Sequence, residues 1–174
     1  MALLILGLGN DLLGDDGIGL LAADVLERRD ILGVKVVKSA LSGLYLVELV
    51  EGFDDLVIID SIVGETPGKV VQLKLSELGP RIVPSAHYLG LPEALALAKR
   101  SGLRMPNRVA VVAMQIGDSQ VVGSDVSDQV REGLPTLVEE VLKLVQQWGY
   151  EVRPETMREL PAMSQKSKRR NRGS

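Results

Sequence analysis

The chain has 174 residues, of which 45% are hydrophobic and 25% charged, and it contains no cysteine. A chain of this size fits one ordinary domain with a substantial core, and the lack of cysteine excludes disulfides, thiolate metal sites and a cysteine nucleophile. The net charge of −3 is unevenly spread, because residues 165–174, "QKSKRRNRGS", carry five basic residues and leave 15 basic against 23 acidic residues in the rest. Such an acidic body argues against nucleic acid as the main partner.

Apolar runs that suit strands alternate along the chain with segments of helical periodicity. The first run, "ALLILGLG", is continuously apolar, which is typical of a strand buried on both faces of a sheet. The next segment, "DGIGLLAADVLERR", repeats its apolar residues at the spacing of a helix. Farther on, "KVVQLKL" follows a link, "GETPG", that is too short for a crossover, so this strand should run antiparallel at an edge. In chain order the pattern predicts strands over 2–9, 33–39, 54–63, 69–75 and 107–116, and helices over 16–29, 42–53, 91–102 and 124–149.

These elements predict an α/β fold, a three-layer α/β/α sandwich around a mostly parallel, twisted sheet of five strands with one antiparallel edge strand. We expect residues 1–150 to form a single domain, and residues 151–174 to form a C-terminal extension with a disordered basic tail. The third strand should lie beside the first, opposite the second. The carboxyl ends of strands one and three then form a topological switch point, where open α/β sheets bind ligands.

The sequence shows no sign of a membrane or secretion segment. No apolar run approaches the roughly 20 residues that span a bilayer, and "MALLILGLGN" lacks the cationic start of a signal peptide. We therefore expect a cytoplasmic protein that needs no membrane, and the absence of cysteine agrees with a reducing compartment. We also expect a monomer.

Acidic residues crowd the expected switch point. The stretch "GLGNDLLGDDGIG" over residues 7–19 holds five glycines and three aspartates, among them Asp15 and Asp16 at the start of the first helix. Asp60 ends the third predicted strand, and His87, the only histidine of the chain, lies in the loop before the third helix. Two carboxylates and an imidazole can bind a divalent ion. Each residue also has a plainer role open to it: Asp16 as a helix-start acid, Asp60 as a strand-end acid, and His87 as an ordinary surface or core histidine.

Two other kinds of site fit these residues less well. A dinucleotide loop needs a third glycine where Leu12 stands, and Asp15, Asp16 and Asp60 would repel a pyrophosphate. A serine triad would require His87, which the metal site already uses.

Three motifs, in this order and spacing, resemble those of the hydrogenase maturation proteases: "LGLGNDLLGDDGIG", "VIIDSIVGETPG" and "SAHYLGLPEALALA". These endopeptidases process the large subunit of nickel–iron hydrogenases. The resemblance implies an endopeptidase that removes a short C-terminal peptide from the nickel-loaded precursor, recognising nickel that the substrate itself supplies. It also implies that Asp16, Asp60 and His87 form the metal-binding triad, and no further cofactor is expected.

On this basis Asp16, Asp60 and Asp15 are the candidate catalytic residues, although Asp15 fits the role of a helix-start acid at least as well. Hydrolysis by a water molecule, polarised by a metal or activated by a carboxylate base, is the preferred chemistry. The hydrogenase large-subunit precursor is the expected partner. A nickel-dependent binding or chaperone module of hydrogenase assembly, without cleavage activity, is the alternative. Two positions depart from the family pattern: Ala-Leu at residues 40–41 stands where Gly-Thr is common, and Ser61 stands where an alanine often follows the third-strand acid. Both departures lie near the expected substrate cleft, so we expect them to affect substrate choice more than the metal residues.

Overall fold

The computed structural model describes residues 1–75, 90–118 and 121–154, which form a five-stranded sheet between helices. Across these ranges, no helix has the length and apolar character that crossing a membrane requires. The strands are β1 (Leu3–Leu8), β2 (Val34–Ser39), β3 (Asp55–Val63), β4 (Val70–Lys74) and β5 (Arg108–Ile116), and the helices are α1 (Ile18–Glu27), α2 (Leu46–Val50), α3 (Leu91–Arg100) and α4 (Asp128–Gln147).

The strand order in the sheet is β2-β1-β3-β5-β4. The first four strands of this order run parallel, and β4 runs antiparallel to β5 at the edge. This architecture confirms the predicted fold, including the place of the third strand beside the first and the antiparallel edge strand. The carboxyl ends of β1 and β3 therefore meet at a switch point of the sheet.

The alternation of side chains along β3 shows how the layers are built. Successive residues of a strand face opposite sides of the sheet. Val57 and Ile59 belong to a buried cluster that includes residues of α1 and α4, whereas Leu56 and Ile58 belong to a second cluster that includes residues of α2 and α3. The sheet is thus covered on both faces, as the continuous apolar runs of β1 and β3 require.

Helix α1 begins directly against the carboxyl ends of the two central strands. A Cβ atom at Gly19, in the first turn of α1, would overlap the carbonyl oxygen of Leu8 and lie 2.6 Å from the carbonyl oxygen of Ile59. Only glycine permits so close an approach of backbones. This contact brings the segment before α1 to the switch point.

All four helices are shorter than the sequence predicts, and the first two begin with 3-10 turns in place of α-helix. The first is α-helical only from Ile18, because residues 11–17 form a 3-10 segment with non-helical backbone at Gly14. The second consists of a 3-10 turn, Gly43–Tyr45, followed by the five residues of α2, and Ser42 occupies the N-cap position without a side-chain capping bond. Apolar spacing reports which side of a segment is buried, and over so few residues it does not separate 3-10 turns from α-helix.

A cluster of polar side chains joins β3, β5 and the end of α4 at the amino edge of the sheet. Asp55 is buried and accepts hydrogen bonds from Nε and Nη2 of Arg108, at 2.7 and 2.6 Å, and from the Tyr150 hydroxyl at 2.6 Å. The Arg108 guanidinium also lies 4.9 Å from the ring centroid of Trp148. Burial alone would raise the pKa of the Asp55 carboxyl, but the bonds from Arg108 and Tyr150 hold that pKa below its usual range. This amino-edge cluster lies opposite the switch point.

The described part of the predicted C-terminal extension pairs with the body of the protein. The Leu32 N–H donates to the Glu151 carbonyl at 3.1 Å, and the Arg153 N–H donates to the Asp30 carbonyl at 3.0 Å. Residues 151–153 therefore form part of the folded unit. The predicted basic tail, residues 165–174, lies outside the described residues.

Candidate functional site

Asp60 lies in the carboxyl-terminal half of β3, three residues before the strand ends at Val63. Pairing of β1 with β3 stops at Gly7 opposite Ile59, but pairing of β3 with β5 continues to Val63 opposite Ile116. The strand extends past the acid because β5 supports it there. Asp60 is thus the first residue of β3 beyond the paired part of β1, and it is fully buried.

Asp16 reaches the same region from the 3-10 segment that follows β1. Its Oδ2 accepts the backbone N–H of Asn10 at 3.2 Å. The Asn10 side chain in turn accepts the N–H of Leu12 at 3.0 Å and so caps the start of the segment. A Cβ atom at Gly9 would overlap the carbonyl oxygen of Asp16, so the chain can fold back here only with glycine. The glycine-rich stretch therefore brings Asp16 against the end of β1.

Ser61 contacts both acids. Its hydroxyl donates to Asp16 Oδ1 at 2.6 Å, and its backbone N–H donates to Asp60 Oδ1 at 2.8 Å. Ser61 is only 2% exposed, so its side chain is shielded from solvent. Asp16 and Asp60 thus both accept a hydrogen bond from the same serine, and we refer to these two residues as the acid pair. The sequence predicts an effect of Ser61 on substrate choice, but its described contacts lie with the acid pair.

Asp15 faces a different neighbour. Its Oδ1 accepts the backbone N–H of Ser127 at 2.6 Å, and its Oδ2 accepts the Ser127 hydroxyl at 3.0 Å. Ser127 is the N-cap residue of α4. Asp15 therefore connects the 3-10 segment to the start of α4, and its predicted part in catalysis stays a prediction.

His87 lies outside the described residues, so its predicted part in a metal site stays a prediction as well. Among the residues that the structure describes, no group of three His, Cys, Asp or Glu side chains is placed to hold a metal ion. Asp16 and Asp60 are the two members of the predicted triad that can be located.

Comparison with known proteins assigns the chain to a family. A family model of hydrogenase maturation proteases matches residues 21–144. The hydrogenase expression/formation protein HupD of Thiocapsa roseopersicina is 30% identical over 154 residues, which cover 84% of this chain and 69% of that protein. The chain belongs to the hydrogenase maturation protease family.

Solved structures of hydrogenase maturation proteases share its fold. The hydrogenase maturating endopeptidase HybD from E. coli has a TM-score of 0.74 and 27% identity, covering 87% of this chain and 96% of that one. The [NiFe] hydrogenase maturation protease HybD from Thermococcus kodakarensis has a TM-score of 0.65 and 31% identity, covering 83% and 99%. These findings confirm the predicted enzyme class, a hydrogenase maturation endopeptidase. The range matched by the family model includes Asp60 and Ser61 and begins after Asp16.

The acid pair has two chemical capacities that a peptidase can use. Each carboxylate oxygen offers two lone pairs, so an oxygen that accepts one hydrogen bond can still bind a cation or take up a proton. Carboxylate oxygens are ligands for divalent metal ions. An ionised carboxylate can also act as a general base toward water.

Exposed apolar side chains gather around the same edge of the sheet. Seven of the eleven large hydrophobic side chains that the described residues expose lie at or just beyond the carboxyl ends of the four parallel strands. An apolar surface beside a buried polar site is typical of a place where another protein docks. These seven residues are Leu12, Leu41, Leu44, Tyr45, Val63, Val121 and Val122.

The contacts of Ser61 with Asp16 and Asp60 were not predicted from the sequence. Strand alternation is the signal that could have indicated the contact with Asp16. A residue next to Asp60 in a strand must face the other side of the sheet, where the first helix begins. The reach from Ser61 to Asp16 depends on the 3-10 segment, whose path the apolar pattern does not reveal.

Proposed function

We propose that this protein removes a short C-terminal peptide from the nickel-loaded precursor of a nickel–iron hydrogenase large subunit, and that it recognises the nickel bound in that precursor. Membership of the hydrogenase maturation protease family supports the reaction class. The observation that carries the proposal is that two carboxylates at the switch point, Asp16 and Asp60, both accept a hydrogen bond from one buried serine, Ser61.

The nickel in this proposal belongs to the substrate. Nickel accepts mixed oxygen and nitrogen donors, which Asp16, Asp60 and His87 would supply. Three protein ligands leave positions for donors from the precursor. Docking through the metal would bring the precursor's C-terminal segment to the carboxyl edge of the sheet, where the exposed apolar side chains offer further contact.

The cleavage step needs a base and a proton donor. The oxygen of a water molecule bonds to the scissile carbonyl carbon, its proton passes to a carboxylate, and that proton then reaches the leaving amine as the C–N bond breaks. In this proposal Asp16 and Asp60 are the acids that carry the proton. The two hydrogen bonds between Asp15 and Ser127 favour an anchoring role for Asp15.

We further propose that the protein acts as a monomer in the cytoplasm, on the precursor alone, and needs neither nucleic acid nor a membrane. The absence of cysteine fits a reducing compartment. The acidic body fits a partner other than nucleic acid.

A processing assay with purified components tests the function. We expect nickel-loaded precursor to be cut once near its C-terminus, nickel-free precursor to resist, and an unrelated protein such as casein to stay intact. Nickel is required in this proposal because it docks the substrate, whereas an ordinary protease would cut the more mobile nickel-free tail at least as well. Mass spectrometry of the products gives the cleavage position.

Two outcomes would contradict the proposal in different ways. Efficient cutting of nickel-free precursor with a chelator present would refute nickel recognition. Binding of nickel-loaded precursor without any cleavage would favour the alternative, a binding or chaperone module of hydrogenase assembly.

A further inference from the structure

Ser61 holds the two acids through two different kinds of bond. Its N–H bond to Asp60 comes from the backbone, so any residue except proline could make it. Its bond to Asp16 comes from the hydroxyl and needs a side-chain donor. An alanine at position 61 would keep the backbone donor to Asp60 and remove the side-chain donor to Asp16, which would retain the Asn10 N–H.

The alternation of side chains along β3 explains why the Ser61 hydroxyl can reach Asp16. Asp60 shares its side of β3 with Ile58, which packs with α2 and α3, whereas Ser61 shares the other side with Ile59, which packs with α1. Asp16 precedes α1 and so approaches from the side of Ser61. The two acids come from opposite faces of the sheet, and Ser61 links them.

The hydrogen bonds to Asp16 fix its carboxylate at both oxygens. Oδ1 accepts the Ser61 hydroxyl and Oδ2 accepts the Asn10 N–H. A hydrogen bond to an ionised acceptor is stronger than a neutral one and orients the side chain. Two carboxylates that share a cation repel each other until it arrives, so an external donor is needed to keep them in position. Partners of metal-ligating carboxylates are worth about 10–100-fold in metal affinity.

We propose that Ser61 is a positioning residue, whose hydroxyl fixes Asp16 relative to Asp60 so that the pair binds a divalent cation. The inference rests on the proposed function, because it takes the two acids as ligands for nickel.

The test compares the nickel affinity of four purified full-length proteins by titration calorimetry with Ni²⁺ alone. They are the wild type, Ser61→Ala, Ser61→Thr and Ser101→Ala, the last removing an exposed hydroxyl at the far end of α3. We expect Ser61→Ala to weaken nickel binding by about 10-fold or more, and Ser61→Thr, which keeps the hydroxyl, to restore most of the affinity. Ser101→Ala should match the wild type. Melting temperatures measured alongside show which variants fold.

Equal nickel affinity of folded Ser61→Ala and wild type would overturn the inference, and so would a wild type that does not bind nickel. Loss of cleavage by Ser61→Ala with unchanged nickel affinity would also overturn it, since that pattern points to a nucleophilic serine. If Ser61→Thr proves too bulky to fold, the nickel affinities of Ser61→Ala and Ser101→Ala still decide whether Ser61 positions Asp16. Processing of nickel-loaded precursor, measured in parallel, tests the proposed function separately. A wild type that binds nickel but does not cut the precursor would contradict that function. The nickel affinities would still decide the role of Ser61.

Discussion

Asp60 is a fully buried carboxylate in a strand whose other residues are mostly Val, Ile and Leu. Removing a charge from water is costly unless hydrogen bonds or an opposite charge compensate for it. Packing alone gives no reason for an acid at this place, because an apolar residue would serve the sheet better. A buried acid that stability does not require is typical of a functional site.

Asp60→Asn should separate function from stability. Asparagine keeps the shape and the oxygen that accepts the Ser61 N–H, and it removes the buried charge. We expect the melting temperature to stay the same or rise, while processing of the precursor falls by roughly 100-fold or more, since a ligand should matter at least as much as its outer partners. His87→Ala should behave in the same way.

The matched control is Asp30→Asn, which changes an exposed acid near the amino edge that pairs with Arg153. This variant should process the precursor normally. Unfolding of Asp60→Asn and His87→Ala together with loss of activity would instead favour purely structural roles for these residues.

Asp15 illustrates how two adjacent acids can have different roles. Both of its oxygens accept hydrogen bonds from Ser127, the N-cap residue of α4. Asp15→Ala removes both bonds, so we expect the free energy of unfolding to fall by about 1–2 kcal/mol, with activity retained per folded molecule. Asp15→Asn keeps an acceptor and should cost less. Denaturant unfolding together with the processing assay checks both values; abolished cleavage by a fully stable Asp15→Asn would make Asp15 a catalytic acid instead.

At the scale of elements, the site depends on how closely α1 approaches the ends of β1 and β3. Sequence patterns predict the strands to within one or two residues, because long apolar runs that are buried on both faces are distinctive. They predict Asp16 and Asp60 at one edge because parallel strands end together. They do not show that the pairing of β1 with β3 stops at Ile59, just before Asp60, since that depends on where β1 ends. They also do not show the 3-10 path that turns Asp16 toward Ser61.

Gly19→Ala should disrupt this approach. The added methyl group would overlap the Leu8 carbonyl oxygen and press on that of Ile59, and both contacts are backbone atoms that cannot move aside alone. We expect a loss of roughly 2–4 kcal/mol of unfolding free energy, or failure to fold, as for overpacked core sites. The control is Gly117→Ala, where nothing lies within 4 Å of the added Cβ. Unchanged stability of Gly19→Ala in chemical denaturation would contradict this account of the α1 contact.

At the scale of the whole molecule, the two edges of the sheet carry different kinds of polar cluster. The carboxyl edge holds the acid pair, Asp16 and Asp60, both of which accept a hydrogen bond from Ser61. The amino edge holds Asp55 with Arg108 and Tyr150, which join β3, β5 and the end of α4. An acid paired with an arginine suits stability, whereas in the proposed function the acid pair at the carboxyl edge serves to bind a cation.

Arg108→Ala should therefore lower stability and leave the chemistry intact. It leaves the Asp55 carboxylate, whose side chain is 3% exposed, without its cation. We expect about 2–4 kcal/mol of lost stability at neutral pH, less than for a fully buried pair because Arg108 is 41% exposed. The control is Arg104→Ala, whose more exposed pair with Asp54 should contribute much less to stability. Folded Arg108→Ala should still process the precursor, because the change lies at the opposite edge from Asp16 and Asp60.

The pH dependence of that loss gives the sharper test. In the folded protein the pKa of Asp55 lies below its ordinary value of 3.8, so its contribution to stability is complete above about pH 3.8 and disappears as the pH falls through the lower, folded value. Without Arg108, burial is opposed only by the Tyr150 hydroxyl, so the pKa of Asp55 should rise and this contribution should shrink. The difference in unfolding free energy between wild type and Arg108→Ala should consequently be largest near pH 7 and narrow below pH 3.8. Urea unfolding at a series of pH values measures this difference in unfolding free energy. A difference that stays constant down to pH 3 would contradict the prediction. It would show that Arg108 stabilises the protein through packing on Trp148 instead of through the charge of Asp55.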